Sequence, residues 1–145
     1  MEEDEKLKGQ LVSHFKFEDR NIELSVNPDG EPLEESLEVA RILYKSLIHL
    51  DKKARSVASR DLLNKYNESW RFFAITREDG TTKEVENPAL TPDEFETTII
   101  LSSVNVTGRM LEFCYSDKGL FAGHSIFVEA FDGPSFKDTH ATLFG

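Results

Sequence analysis

Within ten positions the chain places Tyr115, Asp117, Gly119, Gly123 and His124. These are the residue types of an acid–base site: an imidazole that titrates near neutral pH, a carboxylate to orient it and a phenol beside them. On that reading His124, Asp117 and Tyr115 are the catalytic residues of a small hydrolase or isomerase, and Glu112 and Glu129 add carboxylates from the flanking strands. The same residues have a plainer reading. Asp117-Lys118-Gly119 is the composition of a hairpin turn, and Gly123 marks a bulge. A histidine after such a glycine often bonds a neighbouring backbone carbonyl and nothing more.

Trp70 is a second candidate, as an aromatic anchor for a partner. Arg71, Phe72 and Phe73 beside it favour core packing instead. The absences are informative too. The chain has no glycine-rich phosphate loop, no dinucleotide fingerprint, no metalloprotease helix and no nucleophile elbow. His14, His49, His124 and His140 are scattered, with no pair at metal-ligand spacing, so neither a metal nor a cofactor is expected. Cys114 is the single cysteine. It sits in an apolar run and reads as a reduced, buried thiol, in keeping with a cytoplasmic protein.

The elements that position these residues form a meander from Ile99 to Phe131. β-branched and aromatic runs alternate with turns at Gly108 and at Ser116 to Gly119. Leu111, Phe113 and Tyr115 share one face of the middle run, and Ile126, Val128 and Ala130 share one face of the last. Upstream, Gln10 to Glu18 and Ile22 to Val26 read as a hairpin with one buried face. A helix with the stripe Leu33, Leu37, Ala40, Tyr44 and Leu47 follows, begun by Pro32, Glu34 and Glu35. Asp51 is placed to cap a second helix that buries Ala54, Val57, Ala58, Leu62 and Tyr66. Lys52, Lys53, Arg55, Arg60 and Lys65 give that helix a solvated basic face. Trp70, Phe72 and Phe73 are expected to pin the crossover onto the core, and Thr76 to Leu90 reads as a turn-rich loop with room for a small hairpin. Thr91-Pro92-Asp93-Glu94 has the form of a capping box opening a short helix. The tail from Asp132 to Gly145 has no evident placement.

This order predicts one α+β domain over residues 1–145, with residues 1–8 frayed. Its core is a mostly antiparallel sheet of about five strands, with a long helix pair packed on one face and a short third helix. A chain of 145 residues with 39% hydrophobic residues and eleven phenylalanines can fill one core. A formal net charge of -10 argues against nucleic acid and against an anionic membrane surface. The acidic start, Met1-Glu2-Glu3-Asp4-Glu5, is neither a signal nor a transit peptide, and no apolar run approaches membrane-spanning length.

Several blocks also resemble an uncharacterised bacterial family, Domain of Unknown Function 2262. They are Ala40-Arg41, Ala58, the stretch from Leu62-Leu63 to Trp70, and Thr91 to Phe95. The fullest are Phe113-Cys114-Tyr115-Ser116-Asp117 and Leu120-Phe121-Ala122-Gly123-His124-Ser125-Ile126. The resemblance runs from Leu33 to Val128 and implies a bacterial cytoplasmic protein, with no activity attached. Size, acidity and the lack of a catalytic signature point first to a non-enzymatic interaction module, an accessory or immunity-type protein. Its acidic surface would meet a basic protein partner, with Trp70, Glu112 and Glu129 as candidate binding residues. The enzyme built on His124 is the alternative, and a sensor for an apolar ligand is the third reading. An exposed sheet face or edge strand would offer a dimer interface.

Overall fold

Alternation along the strands decides which side of the sheet becomes the core. The computed structural model describes the backbone of residues 2–7 and 10–145, with side chains from Leu11 onward. Its elements are β1 (Glu2–Leu7), β2 (Gln10–Phe17), β3 (Arg20–Asn27), α1 (Leu33–Lys45), α2 (Leu47–Lys65), a π-helical turn (Tyr66–Trp70), β4 (Phe72–Thr76), β5 (Thr82–Glu86), α3 (Pro92–Thr98), β6 (Ile100–Thr107), β7 (Met110–Ser116), β8 (Ser125–Ala130), a 3-10 turn (Gly133–Ser135) and β9 (Thr139–Phe144). The main sheet runs β1-β2-β3-β6-β7-β8-β9, and among the described residues β4 pairs with β5 alone. Within the main sheet β3 and β6 are parallel and every other neighbouring pair is antiparallel.

The α+β class and the meander stand, but the strand count was low. One extra strand is β9, in the tail that sequence left unplaced. Another is β1: of the start expected to fray, Met1 and Lys8 lie outside the described residues, while the backbone of Glu2–Leu7 pairs with β2. The parallel join is the exception within an otherwise antiparallel sheet. It arises because the chain leaves β3, crosses through the helices, and returns beside the strand it left.

All three helices bury residues in the same core. α1 supplies Val39, Ala40 and Leu43, α2 supplies Leu47, Leu50, Ala54, Val57, Ala58 and Leu62, and α3 supplies Phe95. They meet Leu24, Val26, Val104, Leu111, Phe113, Tyr115, Ile126 and Val128 of the sheet. The expected long helix pair is instead two consecutive helices joined through the single residue Ser46, whose backbone (φ -109°, ψ 18°) lies outside the α region.

The buried face of α1 is also rotated from the expected stripe. Leu33 and Tyr44 are exposed, whereas Ser36 is fully buried. The Ser36 hydroxyl donates to Gly108 O at 2.6 Å, so a small polar residue lets the helix close on the β6–β7 turn without an unmatched hydrogen-bonding group.

The outer edge of β9 is closed by α2. Arg60 donates to the carbonyl of Thr139 at 2.8 Å, and the Ala141 amide donates to Asp61 Oδ2 at 2.9 Å. Two residues of the helix thereby occupy an edge that could otherwise recruit another strand. No described helix packs on the opposite face of the sheet, where Asn105, Glu112, Cys114, Phe127 and Glu129 are half-buried and His140 is exposed.

Candidate functional site

The loop from Asp117 to His124 is built around one carboxylate. Asp117 is buried. Its Oδ1 accepts from the Gly119 amide at 3.0 Å, and its Oδ2 from the amides of Phe121 and Gly123 at 2.8 and 3.0 Å. Gly119 and Gly123 hold φ of 86° and 85°, a region open to glycine without a Cβ penalty. His124 Nδ1 contacts the carbonyl of Phe121. A carbonyl can only accept, so Nδ1 carries the ring proton. Tyr115 points into the core, where its hydroxyl donates to Asp51 Oδ1 at 2.6 Å. His124, Asp117 and Tyr115 therefore have separate partners. Asp117 and His124 share the loop and Tyr115 lies on the strand before it, but the three form no relay.

Trp70 leaves the π-helical turn and packs edge-on against Phe121 and His124, with ring centroids 5.6 and 5.3 Å away. Phe72 and Phe73 do not join it in the core. They belong to β4, which with β5 makes an arm whose β4 residues are all exposed. The base of the arm is tied down. Asn67 exchanges two hydrogen bonds with the backbone of Leu90. Arg71 donates to Asn67 O and Asn87 O, pairs with Glu86, and lies over the Phe72 ring at 4.1 Å. A hollow of about 450 Å³ lies between Trp70, the arm and Gly119–Ala122.

A cleft of about 690 Å³ opens between α2, α3 and the ends of β3 and β6, with Asp51 and Arg55 in its lining. The sequence placed Asp51 as a cap and Arg55 on a solvated face, and neither holds. Asp51 sits inside α2, with a side chain 7% exposed against 15% for Arg55. Arg55 Nε donates to Asp51 Oδ2 at 3.0 Å, and Nη1 donates to Glu96 O and Ile99 O at 2.6 Å each. The guanidinium lies 5.1 Å from the centroid of the Tyr115 ring. Burial first, and then the Asp51 charge, push the Tyr115 phenol well above its ordinary value, so it stays neutral and donates. Such a phenol orients a carboxylate rather than abstracting a proton. The group ties α2 to the α3–β6 junction.

The two remaining sequence candidates do come together. Glu112 on β7 stands directly opposite Glu129 on β8, and Glu129 opposite His140 on β9. On the other side Glu112 faces Asn105, which faces Ser25. Ser25 Oγ donates to Asn105 Oδ1 at 2.6 Å, and Asn105 Nδ2 donates to Glu112 Oε1 at 2.9 Å. A chain of two side chains, Ser25 on β3 and Asn105 on β6, thus orients the Glu112 carboxylate, one of an adjacent pair on the open face. Strand alternation put Glu112 and Glu129 on that face, but only the register put them side by side. Phe127 and Phe144 stack further along it, with centroids 5.2 Å apart. Among the described residues no group of three metal-ligating side chains converges, and no helix is long and apolar enough to cross a membrane.

The fold and this surface define a small α+β protein with helices on one face of its sheet and an open, carboxylate-bearing face on the other. A family model described as "Uncharacterized protein conserved in bacteria (DUF2262)" matches residues 5–140. The chain belongs to that bacterial family, whose match extends beyond the Leu33–Val128 stretch that carried the resemblance. No curated protein and no solved structure matches.

Proposed function

We propose that this protein is a non-enzymatic interaction module whose open sheet face receives a basic protein partner. The Glu112–Glu129 pair carries the reading. Like charges directly opposite one another on neighbouring strands are destabilising. A cation from a partner, set between them, would turn that cost into recognition. The net charge of -10 would speed the encounter with a basic surface. The Phe127–Phe144 stack adds aromatic contact area of the kind interfaces use. An accessory or immunity-type role in the bacterial cytoplasm fits this chemistry and the free thiol of Cys114. The acid–base alternative at His124 gains nothing from the geometry, because the oxygens of Asp117 bond three backbone amides and Tyr115 faces inward.

Native mass spectrometry of the protein purified gently from a bacterial source tests the reading. The expected result is a co-purifying basic protein at fixed stoichiometry, lost by at least tenfold in affinity on Glu112→Lys with Glu129→Lys. A complex that tolerates the double reversal would sink the assignment of this face.

A further inference from the structure

Among the described residues the β4–β5 arm is a second surface to which no further strand is joined, and its two edges differ. The Arg77 amide donates to Thr81 O and the Asn87 amide to Arg71 O. With the register of the pair, this turns the backbone groups of Phe73 and Ile75 inward to β5 and those of Phe72, Ala74 and Thr76 outward. The outward residues of β5 are Thr82, Glu84 and Glu86, and charges at such positions discourage strand addition. The β4 edge carries no charge and no proline, although the same chain closes its β9 edge with Arg60 and Asp61.

We propose that the β4 edge pairs with the same edge of a second copy, giving a two-fold dimer through a ribbon ordered β5-β4-β4′-β5′. A two-fold axis through Ala74 sets Phe73 against Ile75′ and Phe72 against Thr76′, with about six new backbone hydrogen bonds. The equivalent axis through β5 would set Glu84 against Glu84′, so β4 is the self-complementary edge. Arg71, which then stands across from Arg77′, is already paired with Glu86. Repulsion between two acidic bodies is screened beyond about 8 Å at physiological salt, and the exposed arm is the part that makes contact. A five-residue ribbon covers less than the roughly 800 Å² per partner of a standard interface. The dimer is accordingly weak, with a Kd on the order of micromolar to tens of micromolar.

Sedimentation velocity of the full chain from about 1 to 500 µM, bracketing that Kd, tests this. A monomer converting to a dimer is expected. Ala74→Pro removes one outward amide and leaves the bonds to β5 intact, whereas Ala74→Lys places a charge on the axis. Each should weaken dimerisation at least tenfold, while Glu84→Pro, at the matching position on β5, should leave it unchanged. Far-UV circular dichroism and Trp70 fluorescence show whether the arm stays folded, and Ala74→Lys decides the matter if the proline disrupts it. A wild type that remains monomeric overturns the proposal. So does a dimer unaffected by Ala74→Lys, or one weakened as much by Glu84→Pro.

Discussion

Tyr115 shows how a residue that looks catalytic becomes a structural donor. Its hydroxyl is the partner of a carboxylate buried inside a helix, and that carboxylate also holds Arg55. Tyr115→Phe removes the donor and keeps the ring, so a loss of about 1–3 kcal/mol is expected from urea unfolding. Arg55→Met leaves Asp51 buried without its counter-charge and frees two backbone carbonyls, so the loss should reach about 3–5 kcal/mol. The phenol's raised pKa has a definite sign. Its stabilisation is complete below the ordinary tyrosine value near 10 and falls away as pH rises through the higher folded value. Urea midpoints measured up to alkaline pH should therefore drop, and Tyr115→Phe should remove that component. An unchanged alkaline slope in the variant would count against the assignment.

Among the elements, the 117–124 loop and the β9 edge each depend on one carboxylate. Asp117→Ala leaves the amides of Gly119, Phe121 and Gly123 without their acceptor. A cost of about 1–3 kcal/mol is expected, with faster hydrogen exchange at Phe121 and Gly123 as the local sign. At the edge, the Arg60 hydrogen bond leads the causes that hold the Asp61 carboxyl below its usual range. The stabilisation is present above the ordinary aspartate value near 3.9 and is lost as pH falls from there through the depressed folded value. Asp61→Asn should make unfolding less sensitive to acid in that window and speed exchange at Ala141. Equal acid sensitivity in the variant would show that the carboxylate does not act there.

For the whole molecule, the proposed function makes the open sheet face a place where stability is set against recognition. Replacing one member of the like-charged pair, as in Glu129→Gln, should raise the stability of the isolated chain by a few tenths of a kcal/mol. The same change should weaken capture of a basic partner, chiefly through the association rate and its salt dependence. Thermal unfolding and stopped-flow binding read the two effects separately. Greater stability together with undiminished binding would place the partner elsewhere.

Much of the fold was legible because its signals are local. The Thr91 capping box closes within one turn, with Glu94 donating from its amide and returning its carboxylate to Thr91. Alternation in β7 and β8 named the buried residues because a strand repeats every two positions. The same alternation put Glu112 and Glu129 on the other face. What sequence left open depended on partners far along the chain. Ser36 finds its acceptor 72 positions away and Asp51 its phenol 64 positions away, so Asp51 reads as a cap until the chain has closed, and nothing near Ser36 in sequence marks it as buried. Phe72 and Phe73 read as core because they are aromatic, yet among the described residues their strand pairs with β5 alone. Composition, period and capping are properties of neighbours in sequence and determined the class, the meander and the polar face. Register, the parallel join, the burial of Asp51 and the cross-strand pairing of the two glutamates are properties of neighbours in space, and only the closed sheet decided them.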